Sequence, residues 1–386
     1  MEEKWEELYG YAANIVKFAP WSWINEEQLI EIDVYGSLTY YLSVMGREGL
    51  FEGIMLLTGK DELRRYVEMQ QNPIPDIFGI NYQEGILMVY NTRDYMLEDN
   101  MEVVDEFMKR QYKGKVISFE SFTRGYMPSS LSEEELDDAL VAFKTFDRAL
   151  SDMNKSENGD KTSEDYKDYK KFKSSFKDHN DRCLHISFDE DEDELTFEVI
   201  DQPRLAVNFK TVTMPEGFDN LDDAPRLDDT YEIEFLNYVP IPAKKVKYKT
   251  ALMNEAVDKT NLVRYFALVN ETTEKVLEFK TVDAPFMGER DNEDYLGFVF
   301  PMLIDLMNEN GVPKKMLVRD DETYALLSDL ADREKIELVK SPEMKIIDDF
   351  VTGFYEHVLG PYEDIDDMPF DFNDGDDDDD DPDEVE

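Results

Sequence analysis

Residues 310–345, NGVPKKMLVRDDETYALLSDLADREKIELVKSPEMK, constrain the fold of this chain more than any other stretch. Gly311 and Pro313 break whatever helix precedes them. Met316, Leu317 and Val318 form a short apolar run of the kind a buried strand shows, and Arg319-Asp320-Asp321 closes it. From Glu322 the apolar positions Ala325, Leu326, Leu327 and Leu330 fall at helical spacing. Ile336, Leu338 and Val339 then give a second short strand before Ser341-Pro342 opens another helix. A strand, a helix and a strand with a crossover of about a dozen residues make a βαβ unit, so the two strands are expected to lie parallel in one sheet.

At 386 residues the chain is too long for one ordinary domain, and two or three are expected. Hydrophobic residues make up 41%, with 24 Phe and 21 Tyr, which is enough to build real cores despite the acidity described below. The single cysteine, Cys183, excludes an intrachain disulfide framework and fits a reducing compartment. The first residues are acidic and amphipathic rather than basic and then apolar, so no secretory signal is expected. No run approaches the roughly 18 apolar residues of a membrane span. The expectation is a cytoplasmic protein without membrane contact.

Lys and Arg number 41 against 90 Asp and Glu, a formal net charge of −49. Residues 363–386 hold 15 acidic and no basic side chains, which leaves about −34 of the −49 on the rest of the chain. Such a field repels a nucleic acid and argues against binding one directly. It suits the opposite role, engagement of a basic protein partner. It equally suits an acidic protein kept soluble by its charge.

Taken in order, the chain divides into an N-terminal α+β domain over 1–153, a linker and charged segment over 154–180, a strand-rich middle segment over 181–248, an α/β domain over 249–360 and an acidic tail over 361–386. Trp5, Leu8, Ala12, Ile15 and Val16 share one face of a helix over 3–18, which Pro20 ends. Short runs over 29–34, 38–45 and 51–57, bounded by Gly36, Gly46, Gly49 and Gly59, read as an antiparallel meander. A helix over 60–70, a strand over 85–90 and a helix over 95–111 follow. Ser132 and Glu135 make a capping box that opens a helix to about Met153.

Runs over 184–188 and 195–200 flank an acidic turn, a hairpin pattern, and 205–209 and 231–235 are further strand-like runs. Residues 250–258 have the pattern of a short helix. Residues 265–270 and 276–282 form a second hairpin, and Phe298, Leu303, Ile304 and Met307 mark the helix before the βαβ unit. A closing helix spans 343–359. Hairpin, helix, then β-α-β-α is a mixed-sheet α/β order. The tail is of low complexity and is expected to be disordered.

Several of these residues carry a resemblance. Pro20-Trp21 after the first helix, Ser43-Val44-Met45-Gly46 at a strand end and Gly125-Tyr126 with Pro128 before a long helix are similar to a bacterial family of uncharacterised proteins. Val318-Arg319-Asp320 marks the domain that follows in that family. The resemblance covers residues 1–150 and 250–358 in the expected order. It implies the two-part layout and supplies no chemistry; the acidic tail and the Lys/Asp-rich middle fall outside it.

The C-terminal unit can also be read as an RNase H-like core. Enzymes of that type hold one or two Mg2+ or Mn2+ ions with carboxylates from the first strand, the end of a later central strand and a late helix. Asp320 suits the second position, and Asp348 or Asp349 the third. The strand read as the first, over 265–270, ends in Asn270 where a carboxylate is needed. That favours a catalytically silent core and leaves a metal-dependent phosphodiesterase as the alternative. Arg319 and Asp320 read equally as structural, with Asp320 capping the following helix.

Elsewhere the motifs are sparse. His179, His185, His357 and Cys183 cannot build a zinc site at standard spacing, and the Cys183-x-His185 pair reads as chance neighbours. No G-x-x-x-x-G-K-[ST], G-x-G-x-x-G or G-x-S-x-G motif exists. The Asp-rich run over 371–381 fails the EF-hand template, because aligning Gly375 with the loop glycine puts Phe370 and Phe372 where ligands belong. Residues 112–128 interleave Phe119, Phe122 and Tyr126 with Lys113, Lys115 and Arg124, as nucleic-acid surfaces do, but a loop bordering the core suits this acidic chain better. In the tail, Phe370 and Phe372 can enter an apolar groove of a partner while Asp376, Asp377, Asp378, Asp379, Asp380 and Asp381 meet its basic rim. The plainer reading is a solubilising tail. No catalytic residue, cofactor or metal is expected outside the phosphodiesterase alternative.

Overall fold

The computed structural model describes residues 2–34, 36, 38–47, 52–71, 83–93, 104–105, 114–123, 126, 128–158, 182–189, 194–201, 213–214, 221–238, 263–282 and 299–359. These residues are α+β, with six α-helices and two mixed sheets. The expected helix over 250–258 and strand over 205–209 lie outside the described residues, as do nearly all of the helix over 95–111 and the whole acidic tail.

The N-terminal elements are α1 (Glu2–Phe18), β1 (Leu29–Val34), β2 (Leu38–Met45), β3 (Glu52–Leu57), α2 (Lys60–Gln71), β4 (Gly85–Thr92), β5 (Lys115–Phe122) and α3 (Glu133–Asn158). They are followed by the hairpin β6 (Arg182–Asp189) and β7 (Glu194–Asp201). Strands β1 to β3 run as the expected antiparallel meander, and β4 and β5 continue it, the latter within residues 112–128, whose sequence reads as a loop. The seven-stranded sheet has the order β5-β4-β3-β2-β1-β6-β7, and β6 lies parallel to β1. Helices α1 and α3 cover one face, where Trp5, Leu8, Phe143 and Phe146 meet Ile30, Leu42 and Phe119. Phe119 meets both Tyr9 and Phe143 edge-on at 5.5 Å, tying the sheet to both helices. Leu63 and Tyr66 of α2 cover the opposite face over Leu57, Leu87 and Val89.

The second sheet contains β8 (Thr230–Tyr238), β9 (Val263–Asn270), β10 (Lys275–Val282), β11 (Lys315–Val318) and β12 (Glu337–Lys340) in the order β10-β9-β8-β11-β12. Helices α4 (Phe300–Asn310), α5 (Asp321–Glu334) and α6 (Lys345–Leu359) complete the unit. Strand β11 is parallel to both β12 and β8, so the βαβ reading of residues 310–345 holds. Gly311 ends α4 at φ +100, and a Cβ there would lie 2.6 Å from Leu227, so only glycine serves. One face of the sheet packs Tyr231, Ile233 and Phe235 against α4 and α5. The other packs Ala267, Val269 and Leu317 against Ile347 and Val351 of α6.

Two placements differ from the sequence reading. Residues 181–248, read as a middle segment, contribute to both sheets: β6 and β7 extend the first, and β8 lies at the centre of the second. The strand ending in Asn270 is β9, the second in the sheet rather than the first. The first is β8, whose pairing partners lie far along the chain and leave no local signal.

Candidate functional site

Alternation along β8 sends Tyr231, Ile233 and Phe235 into the core under α4 and α5, so Glu232 and Glu234 must face α6. Both carboxylates are nonetheless buried, 1% and 2% exposed. A buried carboxylate needs a partner, and each has a different one. Glu232 Oε2 accepts the Ile347 backbone N–H at 2.8 Å and Oε1 that of Ile346 at 3.4 Å, so the first turn of α6 satisfies it. Burial still pushes the Glu232 carboxyl above its ordinary value.

Glu234 meets Arg319, which follows the last residue of β11 and is itself 2% exposed. Arg319 Nε donates to Glu234 Oε2 at 2.6 Å. Its Nη1 donates to the Pro342 carbonyl and its Nη2 to Asp348 Oδ1. All three guanidinium nitrogens therefore contact oxygen, and the three acceptors come from a strand, a loop and a helix. Burial pushes the Glu234 carboxyl up to about 7, with the Arg319 charge opposing and the nearby Asp320 charge adding to the rise.

Asp320, the candidate for the second metal position, is the N-cap of α5. Its Oδ1 accepts the Thr323 N–H at 2.6 Å and its Oδ2 the Thr323 hydroxyl at 3.0 Å. Of the two candidates on α6, Asp348 points inward to Arg319 and also accepts the Met344 N–H at 3.2 Å, whereas Asp349 is exposed. Asn270 works in the β9–β10 turn, donating to Asp229 at 2.8 Å and accepting from Thr273 N–H at 3.0 Å. The structure thus brings Asp348 to a common centre with Arg319 and Glu234, keeps Asp320 beside it as a cap and leaves Asp349 outside. Glu232 and Glu234 were not singled out from sequence. Their only signal is Tyr231-Glu232-Ile233-Glu234-Phe235, which has the alternation of a strand with one wet face.

What the centre can do chemically follows from its occupant. A guanidinium fills the position between the carboxylates, and among the described residues no group of three or more His, Cys, Asp and Glu is placed to hold a metal ion. As they stand, the residues do not fit Mg2+ or Mn2+.

The remaining candidates resolve simply. Cys183 is buried and its thiol is pushed up to about 12, by burial first and then by the Glu31 charge, which disfavours the thiolate. His185 Nδ1 lies 2.9 Å from Glu31 Oε1, a pair on neighbouring strands of the first sheet. Phe119 and Phe122 are core residues of β5, and Lys115 pairs with Glu52 at 2.6 Å. The described part of that stretch, Lys115–Phe122, is a packed strand. Lys113, Arg124, Phe370, Phe372 and Asp376–Asp381 lie outside the described residues.

Each unit overlaps the match of one domain family, the first match ending before β6 and β7. Residues 5–171 match the model of a domain of unknown function (DUF7309), and residues 221–355 match that of a second domain of unknown function (DUF6930). The chain is therefore a two-part protein that carries these two uncharacterised domains in this order. A search of the curated proteins found no match, and a search of the solved structures found none.

Proposed function

We propose that this is a non-enzymatic binding protein of the bacterial cytoplasm whose negative field engages a basic protein partner. The observation that carries the reading is the net charge of −49, most of which lies outside the terminal tail. The tail adds a peptide in which Phe370 and Phe372 enter an apolar groove while the run Asp376–Asp381 meets a basic rim. The same field disfavours direct nucleic-acid binding. Among the described residues no helix is long and apolar enough to cross a membrane.

The C-terminal unit, in this reading, is an RNase H-like core without catalysis. In its favour, the sheet order β10-β9-β8-β11-β12 puts the first strand at the centre, and only β9 runs against the others. Glu234 and Asp348 come from the elements that would supply metal ligands, but Arg319 lies between them. A phosphodiesterase centred on Asp320 with Asp348 or Asp349 has less support, since Asp320 is committed to a helix cap and Asp349 is exposed.

Two variants separate the readings. Deleting 363–386 is expected to weaken capture of a basic protein and to make it less sensitive to salt, because about 15 charges leave with the segment. Asp320→Ala is expected to leave capture unchanged. Hydrolysis of a phosphodiester that requires Mg2+ or Mn2+ in the intact chain and disappears in Asp320→Ala would overturn the proposal.

A further inference from the structure

The two sheets end in the strands β5, β7, β10 and β12, and three of these four edges are guarded. Strand β12 is only four residues long. Strand β10 carries Lys275 and Lys280 and a break in register between Val276 and Glu278. Strand β5 is bridged at Ser121 by Ser129. Short strands, lysines, bulges and covering segments are what stop an edge from accepting another chain. Strand β7 has none of these among the described residues. It pairs with β6 along all eight of its residues, from Glu194 opposite Asp189 to Asp201 opposite Arg182, and ends the seven-stranded sheet. No described strand pairs with its outer side. Every second residue of such an edge strand points its N–H and C=O outward.

The two faces of β7 differ. Leu195, Phe197 and Val199 are half-buried against the core under α1 and α3. Glu194, Thr196 and Glu198 are exposed on the other face, and neither glutamate has an ion-pair partner among the described residues. The cross-strand row Tyr41, Glu31, His185, Glu198 ends at the open edge. The next row, Thr39, Asp33, Ser187, Thr196, holds no basic residue, and Asp33 Oδ1 is buried there with no hydrogen-bond partner. A strand added beside Glu194 and Glu198 therefore gains from Lys or Arg on that face, and from apolar side chains beside Leu195, Phe197 and Val199 on the other. A second copy of this chain is opposed, because its β7 would bring the same glutamates to the joint. We infer that the outer edge of β7 is the docking site of the basic partner, which adds an extended segment of alternating apolar and basic residues as a further strand. The inference rests on the reading of a basic partner and supplies its site and mode of contact.

The probe is a peptide of alternating Lys and Val as long as β7, added to the full chain. Binding is expected to slow hydrogen exchange of β7 backbone amides and to leave those of β10 unchanged. Glu194→Lys with Glu198→Lys is expected to weaken peptide binding about tenfold. Asp222→Lys with Asp223→Lys makes the same change of charge on exposed residues of the second unit and is expected to weaken it less than about twofold. The same peptide N-methylated along its backbone should not bind. Equal weakening by the two pairs of substitutions would overturn the inference, since the general field would then account for binding. So would binding that leaves β7 exchange unchanged, or no binding at all. Amides of β7 that are all protected in the free chain would overturn it too, because the edge would already be filled. The underlying reading fails differently: a wild-type chain that captures no basic protein from a lysate removes the partner and the β7 site with it. Capture undiminished by Glu194→Lys with Glu198→Lys removes the β7 site alone.

Discussion

Glu234 and Arg319 are each 2% exposed, and the protonation of one depends on the charge of the other. Glu234 rises from an ordinary 4.5 to about 7, burial outweighing the arginine. Between those values the folded chain keeps a proton that the unfolded chain has released. The stability contributed by that proton is fully present below the unfolded value and is lost as the pH rises through the folded one. Its size is on the order of 3 kcal/mol. Glu234→Gln keeps an acceptor for Arg319 Nε and cannot titrate, so it is expected to flatten the fall in urea stability between about pH 5 and about pH 7. An unchanged slope in that variant would assign the effect to another group. Sequence reading reached Arg319, Asp320 and Asp348 because they flank recognisable elements. It missed Glu234, which lies 85 residues from Arg319 on a strand whose acids alternate with apolar residues as a solvent-facing set does. Burial of both faces is a property of the assembled sheet, and a single strand does not show it.

The elements that could be read were those specified by local chemistry. The βαβ unit over β11, α5 and β12 follows from apolar spacing and from Gly311. Helix α3 opens on the expected capping box, where the Ser132 N–H reaches Glu135 Oε2 at 2.7 Å and the Glu135 N–H reaches Ser132 Oγ at 3.3 Å. At the start of α5 the same chemistry decides what Asp320 is for. As a cap that serves Thr323 twice, it is expected to lose about 1–2 kcal/mol on Asp320→Ala, read from the urea midpoint. The repulsion it exerts on Glu234 is relieved at the same time, which places the loss toward the lower end. Asp320→Asn retains the acceptor and should stay close to wild type. Equal damage from both substitutions would mean that the charge, not the cap, is what the position needs.

At the scale of the whole molecule, pairing over long sequence distances determined what could not be read. Strand β6 returns beside β1 after about 150 residues, as the pairing of Glu31 with His185 records. Strand β8 likewise becomes central only once β11 docks against it. Neither event leaves a local trace, so residues 181–248 looked like a segment of their own. Charge was fully legible, because it needs no fold to be counted. The most direct measurement is affinity capture from a bacterial lysate by the whole protein at low and at high salt. A discrete basic protein retained at low salt and released at high salt is the predicted result. Capture of no basic partner under either condition would contradict the binding role.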